Sequence, residues 1–64
     1  MKVGDRFIFN NCATAVIKKI YFINSERDTI YYADVENPMA HSYCDFSFFE
    51  QHAIILTPLT EELL

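Results

Sequence analysis

A single glycine, two prolines, no tryptophan and no apolar run longer than four residues mark this 64-residue chain by what it has little of. One glycine, Gly4, cannot build a glycine-rich phosphate loop or a dinucleotide fingerprint, which removes both classes of nucleotide site. An apolar stretch such as Ala53 to Leu56 is far too short to cross a bilayer. The opening Met1-Lys2-Val3-Gly4-Asp5 has no apolar run after its charge, so it does not read as a secretory signal. The two cysteines, Cys12 and Cys44, then read as reduced thiols, and a cytoplasmic location is expected. Positive charge is scarce as well. Five basic residues against nine acidic ones give a formal net charge of −4. Only Lys18 and Lys19 are adjacent, and duplex nucleic acid is held chiefly by Lys and Arg replacing counterions, so nucleic acid is a disfavoured partner.

What the chain does have is apolar bulk. Six Phe and four Tyr contribute to a hydrophobic content of 52%. A domain this short buries only about 60% of the surface its unfolded chain exposes. Large side chains must therefore supply the core, and some must remain outside, where a contiguous patch would mark an interaction surface.

Strand-like and turn-like text alternates along the sequence. Val3 to Phe9 places Phe7 and Phe9 on one face at period two, and Asn10-Asn11 follows as a turn. Ala13 to Ile23 favours β structure, yet neither of its faces is purely apolar: Val16, Ile20 and Phe22 share one with Lys18, and Ile17, Tyr21 and Ile23 share the other with Lys19. A bulge near Lys18–Lys19 would let that strand serve two parts of a curved sheet. Asn24 to Asp28 reads as a hairpin turn. Thr29 to Val35 is the clearest strand, ended by Pro38. His41 to Phe46 is a further strand, Ser47 to His52 a helical turn, and Ala53 to Thr57 a last strand closed by Pro58. A longer helix over Ser47 to Leu56 is the rival reading of that region.

With this layout in hand, the opening Lys2-Val3-Gly4-Asp5-Arg6-Phe7 resembles the start of small SH3-like barrels of the KOW and Tudor type. The resemblance runs from Lys2 to Pro58 in layout. It implies a mostly β fold, a small barrel of four to five antiparallel strands with one short helical turn, filling residues 1–58 and leaving 59–64 as a tail. It also implies binding of peptides, proteins or nucleic acid through aromatic side chains and loops, a choice that fold alone does not make.

Chemistry-bearing residues are few. Cys12, His41, Cys44 and His52 have zinc-ligand chemistry, but only His41-x-x-Cys44 has ligand spacing, and structural zinc sites combine two such pairs. A thiolate at Cys44 would need an electropositive setting, whereas its neighbours are Tyr43, Asp45 and Phe46. No enzyme, metal or cofactor is expected. The binding candidates are Tyr31, Tyr32, Tyr43, Asp34 and Glu36. Period two forces Tyr31 and Tyr32 to opposite faces, so one of them is outward. Asp34 and Glu36 would form an acidic rim for a basic partner surface, or simply a charged edge that resists strand pairing.

The resulting expectation is a small acidic protein-binding module. In size and charge it resembles the small modulators that bacteriophages encode to block a host protein complex. The alternatives are a nucleic-acid-binding barrel using Arg6, Lys18, Lys19 and Arg27, a metal-stabilised or redox domain on the Cys and His residues above, and a self-associating homodimer. Because structural zinc contributes directly to folding free energy, melting with and without a strong chelator separates the metal reading from the others. The melting temperature is expected to be unchanged by the chelator.

Overall fold

The computed structural model describes residues 1–56. Gly4 opens the first strand: its φ of +97° is in the left-handed region that side chains with a Cβ rarely occupy, and its N–H donates to Ile20 O at 2.8 Å. Five strands follow, β1 (Arg6–Phe9), β2 (Lys18–Asn24), β3 (Thr29–Asp34), β4 (His41–Asp45) and β5 (Ala53–Ile55), with helix α1 (Phe46–His52) between the last two. All pairings are antiparallel, and the strand order is β4-β3-β2-β1-β5. Among the described residues β4 and β5 are the two edges, and the sheet is unclosed.

The core lies on one face of this sheet. Phe7, Ile20 and Ile30 are fully buried, and Phe9, Tyr32, Phe49 and Leu56 nearly so. Phe7 is the hub. Its ring meets Phe9, Tyr32 and Phe49 edge-on at centroid distances of 5.2, 5.4 and 4.9 Å. Such pairs contribute about 0.5–1.5 kcal/mol each beyond the area they bury. Helix α1 closes the core from one end. Asp45 caps it, its carboxylate accepting from the Phe48 N–H at 2.7 Å, and the Phe46 N–H donates to Asp28 O at 2.9 Å. Those two bonds hold the helix so that Phe49 turns inward.

The architecture is the expected mostly β one, with corrections of detail in and before β2. The rival helix over Ser47 to Leu56 does not form; a seven-residue helix ends at His52, and the β-branched pair Ile54–Ile55 pairs with β1 instead. The segment Ala13 to Ile17 is not strand. Only Arg6 and Phe7 of β1 pair with β2, at Lys19 and Lys18, so that ladder ends at Lys18. Val16, which period two groups with Ile20, accordingly lies 39% exposed while Ile20 is buried. The bulge in β2 occurs between Ile20 and Phe22, later than the Lys18–Lys19 position expected. The expected end of the last strand at Thr57–Pro58 and the tail at 59–64 lie outside the described residues.

Truncating the hub tests this packing. Phe7→Ala is expected to cost about 3–5 kcal/mol, most of the stability of a domain this small, and to leave the chain largely unfolded in a urea titration. Phe48→Ala, at a side chain 37% exposed, is expected to cost far less.

Candidate functional site

The face of β2, β3 and β4 turned away from the core is aromatic. Its composition follows from register. Up to Ile20, β2 pairs with β3 so that Ile20 sits opposite Tyr32 on the core side. Tyr21 is then passed over, and Phe22 pairs with Tyr31. One extra residue on a strand exchanges the faces of everything beyond it. Phe22 therefore leaves the Ile20 side and joins Tyr31 outside, while Ile23 turns inward opposite Ile30. On β4, Tyr43 lies opposite Tyr31 and His41 opposite Ala33, on the same outer face.

The rings make one connected group centred on Tyr31. Their centroids lie 6.4 Å from Tyr21, 5.6 Å from Phe22 and 5.9 Å from Tyr43, and His41 stands edge-on to Tyr21 at 5.5 Å. Tyr21, Phe22 and Tyr43 remain 46%, 52% and 69% exposed, so the group is open to solvent. At one end of it is a cleft of about 370 Å³ lined by Arg6, Lys19, Tyr21, Ala33, Asp34, Val35, Pro38 and His41. A smaller cleft of about 230 Å³ lies between Arg6, the Ala15–Ile17 segment, Val35 and Glu36.

The structure disperses the residues singled out from sequence. Tyr31 and Tyr43 are together on the outer face. Tyr32 is the inward member of its pair, 8% exposed and packed against Phe7 and Phe9. Asp34 follows the phase of Tyr32 rather than Tyr31, and its carboxylate lies 3.6 Å from Lys18 Nζ. Glu36 is exposed and lines the smaller cleft. Asp34 nevertheless lines the larger cleft beside Tyr21, and Glu36 lies apart from it at the smaller one. Tyr21, Phe22, Lys19 and His41, which were not among the binding candidates, join Tyr31 and Tyr43 on that face. The signal for Lys19, Tyr21 and Phe22 was the failure of Ala13–Ile23 to keep one clean face, which a bulge resolves.

Cys44 lies on the core side of β4, opposite Ile30, and packs against the core. Burial raises its thiol pKa above the ordinary value, and the neighbouring Asp45 charge adds to the rise. A thiol held protonated is a poor nucleophile and a poor metal ligand. Cys12 is exposed, His41 is on the outer face, and His52 Nδ1 lies 3.2 Å from Asn10 Oδ1. Among the described residues, no three His, Cys, Asp or Glu side chains gather where they could hold a metal ion. No described helix is long and apolar enough to cross a membrane. No family model, curated protein or solved structure matches the chain.

The buried Tyr32 phenol also has a raised pKa, chiefly from burial and partly offset by its hydrogen bond with Ser42. For both groups the folded state holds the proton more tightly than the unfolded chain does. Their stabilising contribution is whole below the unfolded-state pKa values, and it is lost as pH rises through the folded-state ones. Stability is therefore expected to fall from about pH 9 upward, first through the thiol and then through the phenol. Urea titrations at pH 8 and pH 11 check this. The loss should be smaller in a Cys44→Ala, Tyr32→Phe double variant, and an equal loss would assign the alkaline transition to other groups.

Proposed function

We propose that the chain is a protein-binding module that acts by occupying a partner's surface and performs no chemistry of its own. The observation that carries this reading is the connected, solvent-open set Tyr21, Phe22, Tyr31 and Tyr43 on the outer face of β2–β4. Tyr and Phe are enriched at the centres of protein interfaces, where large rigid rings bury much area at little entropic cost. Exposed apolar side chains that touch one another mark such surfaces, whereas scattered ones do not.

An SH3-like barrel is the fold form of the proposal. The five short antiparallel strands support it, as do the return of β5 to the side of β1 after a single short helix and the bulge that bends β2. Small size and a net charge of −4 support its narrower form, an inhibitor or modulator of a host protein complex of the kind bacteriophages encode. The acidic-rim recognition of a basic partner is replaced within this reading. Asp34 is ion-paired to Lys18, and it shares the cleft beside Tyr21 with Lys19 and Arg6.

A nucleic-acid reading is favoured by one observation, the presence of Arg6 and Lys19 beside Tyr21 in the larger cleft. Single strands bind where stacking rings and cations alternate. Against it, Lys18 and Lys19 point to opposite faces and Lys18 is already ion-paired, so the one basic doublet of the sequence does not act as a unit.

The test is capture of a partner by the full chain and by outer-face variants. Tyr31→Ala and Phe22→Ala are each expected to weaken the captured complex by about 2 kcal/mol or more, as interface anchors do, while melting close to the wild type. A steep salt dependence, with a single-stranded oligonucleotide competing for the site, would favour nucleic acid instead. Binding that survives both substitutions would make this face ordinary surface.

A further inference from the structure

The charges around the aromatic face are sorted by end. Register puts Lys19, Ala33 and His41 in one row across β2, β3 and β4, with Arg6 beside Lys19 on β1. At the opposite end the matching row is Asn24, Thr29 and Asp45, continued by the turn that holds Glu26, Arg27 and Asp28. One end of the face thus carries Lys19 and Arg6, with the Lys18-paired Asp34 carboxylate also lining the cleft there, the other carries three carboxylates and one guanidinium, and the rings lie between. No ion pair within the chain engages Lys19 or Glu26 among the described residues. The Asp45 carboxylate is held by the Phe48 N–H.

A face with opposite charges at its two ends is complementary to itself. We infer that, in the free protein, the occupant of the outer face is a second copy of this chain, packed sheet on sheet about a two-fold axis that runs across the strands. That axis reverses the strand direction. It lays β2 over the partner's β2, so that Lys19 of each protomer faces the Glu26–Asp28 turn of the other and His41 faces Asp45. A two-fold axis running along the strands would instead lay the Lys19–His41 end of one copy on the same end of the other and leave the two acidic ends facing each other, which like-charge contact disfavours. The rings meet across the axis, at the separation of roughly 10 Å usual for face-to-face sheets. Isologous pairing of this kind is the commonest form of soluble oligomer.

The inference rests on the reading of this face as a docking surface and names its first occupant. Three strands of five to seven residues offer an area at the small end of specific interfaces, where complexes are weak and exchanging. A heterologous partner would then compete with the second copy.

Sedimentation equilibrium of the full chain, over about 10 µM to 1 mM, tests the inference. A concentration-dependent rise from one copy to two is expected. Phe22→Asp should abolish it while leaving the melt of the protein intact, since Phe22 is 52% exposed. Lys19→Glu alone and Glu26→Lys alone should each weaken the dimer about tenfold, and the double variant Lys19→Glu with Glu26→Lys should restore it, because each contact then has its signs exchanged. A chain that stays monomeric at 1 mM, or a double variant no better than the singles, overturns the arrangement. If the chain is monomeric and Phe22→Asp still abolishes capture of another protein, the dimer alone fails. If Phe22→Asp alters neither, the docking face fails with it.

Discussion

Tyr21 has no partner in the ladder between β2 and β3, and the two-sidedness of the sheet follows from that one residue. Before it, β2 sends Ile20 to the core; after it, β2 sends Ile23 there and Phe22 outward. Without the extra residue Phe22 would share the core face with Ile20, and Ile23 would be outside. A bulge also increases the local twist of its strand. This helps one seven-residue strand to pair at its start with β1 and along its length with β3. The aromatic face is thus a consequence of how the core is filled.

The core in turn depends on rings. A sheet of five short strands with one seven-residue helix has little depth, and aliphatic side chains alone would leave it thin. Phe7, Phe9, Tyr32 and Phe49 fill it by edge-on packing around Phe7. Tyr32 can be buried because its hydroxyl finds Ser42 on β4. Tyr31, one residue away, has no such place and lies among other rings at the surface. Adjacent residues of the same type thereby take a structural and an interfacial position, and the pleat divides them.

The same division acts on the charges. Lys18 turns to the core side, where its ammonium lies 3.6 Å from Asp34 and 5.8 Å from the Phe9 ring centroid. Lys19 turns to the other side, beside Tyr21. A basic doublet in the sequence becomes one internal ion pair and one surface cation. Likewise Asp34 and Glu36, neighbours at period two, part company once the strand ends at Asp34. Charge sorting on the outer face is therefore a property of register: Arg6, Lys19 and His41 come to one end from three strands, and Asp45 joins the Asn24–Thr29 hairpin at the other.

The sequence by itself determined the class of fold, the approximate order of strands and the site of the short helix. Those depend on local signals: β-branched and aromatic runs and the Asn10-Asn11 and Asn24–Asp28 turns. It also determined that Tyr31 and Tyr32 must face opposite ways, because alternation is a property of any strand. Which of them is outside, which strand edges meet, and where the bulge falls were decided only by tertiary pairing. Each depends on a partner strand far along the chain: Ile20 against Tyr32, Phe22 against Tyr31, Phe7 against both Lys18 and Ile55. A one-residue slip in any of these exchanges core for surface at little local cost, so local text does not encode it. Phe22 shows the limit most plainly: by period two it belongs with Ile20, and only the pairing with β3 places it in the candidate site.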